Sequence, residues 1–327
     1  MTIDFYRAAL AASGASGFYN KNVRVDGPSG PVIVRIPLHG ADNVDLRIWP
    51  EHEVLAAIAP YVTHAPRLLQ ACESPTYQIH EFIPGDVLDD IAPRGQHVSA
   101  TVLAEVVELF AQLTTVPRKS LPDLPRVWPE DGDTGAFAGV LSDITQSVYD
   151  TFGEEFGPLF SELGIPADPL ALARERWSTL SSRPFRLVHS DVHRKNMIVS
   201  SDRVVFLDWE LALWGDPLYE LAVHFHKMAY QNDERDAVLA GWLKAMPLDF
   251  TSGWERDLDT YLAHERVKSA IVDTVRYTQL IAGGKLSEEE ERELIDKLVT
   301  KHAAAAAVWG LSESPARDKI ERAVRSI

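Results

Sequence analysis

The sequence predicts an α+β fold of two lobes, a small β-rich N-terminal lobe followed by a larger, mainly helical C-terminal lobe. Three observations carry this. β-branched runs bounded by Gly and Pro are concentrated before Gly85, and after it apolar residues recur at helical spacing. The chain has 327 residues, 46% of them hydrophobic, which is more than a single core comfortably fills. The lobes are expected at 1–84 and 87–327, with a hinge at about 80–86.

The first strand pair is a hairpin. Asn22-Val-Arg-Val runs into Asp26-Gly-Pro-Ser-Gly, and Pro31 to Pro37 returns as a β-branched strand interrupted only by Arg35. Pro50 is expected at the first helical position, with Glu51 and Glu53 in the first turn. Tyr77 to Ile83 reads as a further strand ending in Pro84-Gly85. From Ser99, apolar residues at 102, 106, 109, 110 and 113 predict a helix with one buried face. Residues 117–133 are proline-rich and read as a connection. Further helices are expected over 141–163, 170–180, 217–230, 236–245, 254–281 and 287–308.

Composition excludes several classes. The hydrophobic content is that of a globular protein, not a disordered, collagenous or coiled-coil chain. With 32 Lys and Arg against 48 Asp and Glu, the net charge of −16 opposes binding to a nucleic-acid backbone. The same charge would favour a cationic ligand, or simply keep the protein soluble. The single cysteine, Cys72, cannot close an internal disulfide. No leader sequence and no membrane-length apolar run is evident, so a cytoplasmic protein is expected, with no membrane association and no obligatory protein partner.

The chemistry is concentrated in residues 187–210. The polar run His189-Ser-Asp191-Val-His193-Arg-Lys-Asn196 lies between short apolar triplets, and Val204-Val-Phe-Leu is followed by Asp208-Trp-Glu210. Two carboxylates and an amide are thereby expected at strand ends. Such a set suits phosphoryl transfer: Asp191 as base toward an attacking hydroxyl, Asn196 and Asp208 as hard oxygen ligands for Mg²⁺ against nucleotide phosphates.

H-x-D-x-x-x-x-N over 189–196, D-W-E over 208–210 and G-D-P-x-Y-E-L-A over 215–222 resemble the aminoglycoside phosphotransferase and choline kinase superfamily, relatives of protein kinases. The segment Gly17-Phe-Tyr-Asn20-Lys-Asn22 resembles the nucleotide loop of choline-kinase-like members, and Val34-Arg35-Ile-Pro the strand that supplies the phosphate-binding cation. The matches span roughly residues 14–225 in the family's order.

The resemblance implies a two-lobed protein-kinase-like fold that moves the γ-phosphoryl of ATP or GTP to a hydroxyl of a small-molecule acceptor. It makes Asp191 the catalytic base, His189 a brace of the catalytic loop, and Asn196 and Asp208 the Mg²⁺ ligands. Arg35 would contact phosphates and pair with Glu51, with Glu53 as a competitor; Arg here replaces the commoner Lys, keeping the charge but changing its geometry. Asn20 and Asn22 would hold a hairpin over the phosphates, and the backbone near His80, Glu81, Phe82 and Ile83 would read the base.

Lys195 could neutralise the transferred group, whereas Arg194 is expected to be solvated. Glu210 is expected to order the metal site or face the acceptor, and Asp216 and Glu220 to brace the loop. Glu265, Asp273 and Tyr277 share a helical stripe that could line the acceptor site, although that spacing is also that of an ordinary amphipathic helix. The family resemblance implies an antibiotic as acceptor, of aminoglycoside, peptide or nucleoside type, and the N-terminal unit keeps choline or another amino alcohol as the alternative. A His/Asp metal hydrolase using His189, Asp191, His193, His224 and His226 is disfavoured, because side chains two apart on a helix diverge and cannot chelate one ion. A pseudokinase would not need the full set of polar side chains.

Overall fold

The computed structural model describes residues 2–12, 14–16, 20–38 and 46–327. The chain opens with helix α1 (Thr2–Ala11) and continues through strands β1 (Ala15–Ser16), β2 (Asn20–Gly27) and β3 (Gly30–Pro37). Helix α2 (Glu51–Ile58) follows, then β4 (Leu68–Glu73) and β5 (Thr76–Glu81). These strands form one antiparallel sheet in the order β1-β2-β3-β5-β4.

The β2–β3 hairpin has the expected course, with Gly27 opposite Gly30 and Asn22 opposite Arg35. Helix α1 covers one face of the sheet, where Tyr6 stacks on Tyr77 at 5.1 Å and Ala9, Val23, Val34 and Ile79 form a small core. β4 escapes sequence reading because LLQACE is a half-buried edge strand without a continuous apolar run. Pro50 caps α2 from outside, its extended ψ of 132° excluding it from the first helical position expected above.

The remainder is mostly helical. β6 (Asp86–Val87) and α3 (Leu88–Ile91) lead to α4 (Ala100–Thr115), α5 (Thr134–Thr151), α6 (Gly153–Glu162) and α7 (Ala171–Trp177). Three short strands, β7 (Arg186–Val188), β8 (Met197–Val199) and β9 (Val204–Phe206), carry the polar cluster, and β10 (Leu213–Gly215) follows. Helices α8 (Pro217–Met228), α9 (Asn232–Ala245), α10 (Leu248–Thr251), α11 (Trp254–Ala282), α12 (Glu288–Val308) and α13 (Arg317–Val324) complete the chain.

Ser99 caps α4 by accepting from the Val102 amide, and the five apolar residues predicted to be buried are buried. The helix expected over 141–163 is two helices, because the backbone at Phe152 leaves helical geometry. One large core joins α2 to the helical region through Val54, Leu55 and Ile58. A buried ionic knot pins the base of α8: Arg183 meets Asp216 and Asp257 at 2.7 Å each, all three side chains being sealed from solvent. Asp216 also caps α8 through the Leu218 amide, as its place before Pro217 predicts. No helix among the described residues is long and apolar enough to cross a membrane.

Candidate active site

β7 delivers the chain to His189, and the backbone of the loop beyond it is held by side chains of α8. β7 pairs with β10, not with β8, so the loop between β7 and β8 is no hairpin. Ser190 takes a left-handed φ of 64°. Glu220, from α8, accepts the amides of His189 and Ser190, the latter at 3.1 Å, which fixes this strained turn. Burial pushes the Glu220 carboxyl up to about 7. The His189 ring donates from Nε2 to the Leu207 carbonyl at 3.1 Å, accepts the Asp191 amide at Nδ1 at 3.3 Å and lies against Trp209. One donor and one acceptor define a neutral ring, and burial lowers its pKa to about 4.

Asp191 is almost enclosed. Asn196, at the end of the 3₁₀ turn Arg194–Asn196, donates from Nδ2 to Asp191 Oδ2 at 2.8 Å and to its carbonyl at 3.0 Å. Lys227 on α8 contacts Asp191 Oδ1 and donates to the Ser190 carbonyl at 3.1 Å, while His193 Nε2 lies 3.5 Å from the same carboxylate. Burial alone would raise the Asp191 carboxyl; Lys227 and His193 outweigh it and hold the group well below the usual carboxylate range. Lys227 was not expected from sequence. Its signal is a lysine near the end of a helix otherwise buried from Pro217 to Phe225.

Arg35 approaches from the sheet. Its Nε lies 2.8 Å from Glu51 Oε2, both side chains being buried, whereas Glu53 is exposed. Arg35 Nη2 reaches Asp208 Oδ1 at 2.5 Å and Glu210 Oε2 at 3.2 Å, and Nη1 donates to Asn22 Oδ1 at 3.4 Å. Burial opposes the guanidinium charge, but three carboxylates raise its pKa further. Glu51 also accepts the Trp209 amide at 3.0 Å, so one carboxylate ties α2 to both Arg35 and the segment after β9. Glu210 accepts from Asn20 at 2.9 Å and pairs with Arg47 at 3.2 Å; burial, aided by Asp208, pushes its carboxyl up to about 7. Asp208 lies two residues beyond β9 with a left-handed φ of 65°, which turns the chain into the 3₁₀ segment Trp209–Leu211.

The donor chemistry fits Mg²⁺. Asn196 spends its Nδ2 on Asp191, leaving its carbonyl oxygen to offer, and Asp208 adds a carboxylate on the neighbouring segment. Mg²⁺ takes one or two such protein oxygens and completes its octahedron with phosphate and water. Among the described residues no group of three or more His, Cys, Asp and Glu forms a metal site.

Several sequence-predicted residues lie elsewhere or act differently. Arg194 is buried, not solvated: it donates to the carbonyls of Ala92, Gln96 (3.0 Å) and Met228 (3.2 Å), because three carbonyls at the loop base compensate its charge better than partial solvation. Lys195 is exposed, 4.0 Å from Asp89. The Glu81 amide is used by the Arg67 carbonyl at 3.0 Å and its carboxylate by Arg67 at 2.9 Å, Phe82 carries the Arg24 guanidinium 4.7 Å from its ring centroid, and Ile83 is buried. Gly17 to Tyr19 of the expected nucleotide loop fall outside the described residues. Glu265 is buried beside Tyr219 (3.1 Å) and Lys268 (3.5 Å). Asp273 pairs with Lys301 at 2.7 Å, and Tyr277 is half-buried one turn on. The rings of His224 and His226 are engaged separately, with Val192 and Tyr230 and with Ser269.

Beside Ser190 a cavity opens among α5, α8, α11 and β10, lined by Leu141, Ile144, Leu213, Tyr219, His264 and Lys268. It shares Leu46 and Ile144 with a groove of about 480 Å³ that runs along α5 past Ser147, Val148 and Phe152. Glu265, Asp273 and Tyr277 line neither.

The phosphotransferase enzyme family model matches residues 12–257. A search of the curated proteins finds no match. Among solved structures, the chain resembles a choline/ethanolamine kinase family protein from Mesorhizobium loti (17% identity, 100% of both chains, TM-score 0.57). It also resembles a choline kinase from Streptococcus pneumoniae (14%, 94% of this chain and 98% of that one, 0.54) and a macrolide 2'-phosphotransferase from Brachybacterium faecium (18%, 96% and 100%, 0.50). These likenesses show the kinase-like fold. With three quarters of the chain matched, the protein belongs to the phosphotransferase enzyme family and is a small-molecule kinase.

Proposed function

We propose that this chain is a Mg²⁺-dependent O-phosphotransferase that moves the γ-phosphoryl of ATP or GTP to a hydroxyl of a small molecule. The observation that carries the reading is a pair of contacts, Asn196 on Asp191 at 2.8 Å and Arg35 on Asp208 at 2.5 Å, on segments joined by the Leu207 amide donating to the Asn196 backbone carbonyl at 2.7 Å. This supports reading Asp191 as a base, Asn196 and Asp208 as hard oxygen donors and Arg35 as a permanent cation, the inventory that phosphoryl transfer requires.

In this reading Asn196 and Asp208 hold the ion, which when bound would neutralise the nucleotide phosphates. Arg35, oriented by Glu51, contacts the phosphates from the sheet side, with Asn20 and Asn22 ordering the neighbouring hairpin. The backbone of Phe82 and Ile83 reads the base, and the lobes 1–84 and 87–327 hinge at 80–86. Asp191 orients the acceptor hydroxyl for in-line attack. It receives the hydroxyl's proton as the new O–P bond forms.

An antibiotic acceptor, inactivated by phosphorylation, is the reading we carry for biological role, with an amino alcohol as the alternative. The test is a coupled nucleotide-consumption assay with Mg²⁺ and ATP or GTP against aminoglycosides, nucleoside and peptide antibiotics and choline. Acceptor-dependent turnover abolished in Asp191→Asn is expected; full activity in that variant would remove the mechanism.

A further inference from the structure

Side chains of α8 run along the catalytic loop and hold it. Glu220 takes the amides of His189 and Ser190, His224 Nδ1 lies 2.9 Å from the Val192 carbonyl, and Lys227 reaches the Ser190 carbonyl and the Asp191 carboxylate. At the far end of the helix the direction reverses, and the loop holds α8. Arg194, on the 3₁₀ turn after Asp191, donates from Nε to the Met228 carbonyl at 3.2 Å. Met228 ends α8, and Ala229 beyond it turns left-handed with φ of 50°. A last-turn carbonyl has no partner within its own helix, and the negative end of the helix dipole favours a cation there.

Met228 is the chain neighbour of Lys227, so this contact closes a ring: from Asp191 to Lys227, along the backbone to Met228, across to Arg194, and back through the loop to Asp191. The other two arms of the guanidinium are fixed outside the ring, Nη1 on the Ala92 carbonyl at 2.5 Å and Nη2 on the Gln96 carbonyl at 3.0 Å. That segment is itself pinned from α9, where Gln231 donates to the Gly95 carbonyl at 2.9 Å and Glu234 accepts the Val98 amide. Arg194 is buried, and its planar fork reaches three carbonyls on two segments at once, which the single ammonium of a lysine cannot. Glu220 and His224 hold α8 nearer its start, and the grip on its last turn, where Lys227 sits, comes from Arg194.

Resting on the phosphotransferase reading above, we infer that Arg194 is a positioning residue of the transfer step: by capping α8 and tying its end to the 92–96 segment, it keeps Lys227 on Asp191 in the orientation from which that carboxylate meets the acceptor hydroxyl. Arg194 acts through Lys227 and not on the reactants.

The test reads the ion pair and the turnover separately, on the full chain. The ¹⁵Nζ resonance of Lys227, assigned by its loss in Lys227→Arg, reports the contact with Asp191 without any ligand, and Asp191→Asn supplies the reference for a broken pair. Arg194→Met is expected to move that resonance to the reference, and Arg194→Lys, which keeps the charge but not the fork, part of the way. Turnover is read as ATP consumption with Mg²⁺ and kanamycin or choline or, failing both, water as acceptor. Arg194→Met should lower kcat about 10–100-fold and leave the KM for ATP within about twofold, because the contacts of Arg35 are untouched. In a Lys227→Met background the same change should cost less than about twofold further, whereas independent effects would multiply. Where Arg194→Met fails to fold in a thermal melt, Arg194→Lys carries the same comparisons with smaller effects. An unmoved Lys227 resonance in the folded Arg194 variants, a wild type without the ion-pair signature, or full multiplication in the double variant would overturn the inference. Failure of both Arg194 variants to fold would overturn it too, reducing the residue to a support of the fold. The expected resonance shifts in a chain that consumes no nucleotide with any acceptor support the ring and sink the phosphotransferase reading instead.

Discussion

Lys227, from α8, holds the carboxylate of Asp191, thirty-six positions earlier in the chain. The same ammonium takes the Ser190 carbonyl, so it fixes both the charge of Asp191 and the turn that presents it. We therefore expect Lys227→Met to lower kcat/KM by about 10–100-fold. The acid limb of the pH–rate profile should move upward, because Asp191 loses the cation that lowers its pKa. A profile unchanged in shape would show that Lys227 only packs.

Arg35 is buried against Glu51, Asp208 and Glu210. Arg35→Ala leaves buried carboxylates without their counter-ion, and removal of one partner from a buried pair costs about 3–5 kcal/mol. Both thermal stability and nucleotide affinity should fall. Arg35→Lys keeps the charge but cannot span three carboxylates with a planar fork, so partial recovery of affinity with incomplete recovery of stability is expected. Isothermal titration with the nucleotide and a thermal melt of each variant separate the two effects; unchanged affinity in Arg35→Ala refutes the phosphate-side role.

Stability should decline on acidification below neutrality. Burial lowers the pKa of His80, His189, His226 and His302 to about 4 and of His224 to about 3, against 6.5 for a free imidazole. Between those values the unfolded chain binds the extra protons, so the neutral rings stabilise the fold above pH 6.5 and that contribution is lost as pH falls toward 4. Glu210 and Glu220, pushed up to about 7, and Glu51, whose carboxyl burial also raises, work the opposite way over much of this range, but five rings outnumber three carboxyls. A net loss of a few kcal/mol should lower Tm by about 5–10 °C between pH 7 and pH 5 in scanning calorimetry. A flat Tm over that interval would contradict the burial of these rings.

Arg183 is sealed between Asp216, Asp257 and the Ser252 carbonyl, and Tyr261 adds a 2.8 Å bond to Asp216. Arg183→Leu strands two buried carboxylates at the start of α8, the helix that carries both Glu220 and Lys227. We expect a loss of about 3–5 kcal/mol by urea unfolding, with activity lost together with the fold.

Gly85 has φ of 145°, and a Cβ there would lie 2.4 Å from the Val199 carbonyl oxygen. Gly85→Ala combines backbone strain with a backbone clash, so a destabilisation of about 2–4 kcal/mol is expected in the same unfolding assay. A neutral effect would mean that β6 can move away from β8 at little cost.

The sequence by itself determined many of the elements and where its polar side chains cluster along the chain. The Arg35 strand, the Ser99 cap, the Asp216-Pro217 helix start and the ordered polar loop follow from local propensities and spacing, which act over a few residues. It could not choose between Glu51 and Glu53, foresee Lys227, or bury Arg194. Those depend on how α2 and α8 are rotated against β3 and the 189–196 loop, and periodicity does not encode the approach of segments far apart in the chain.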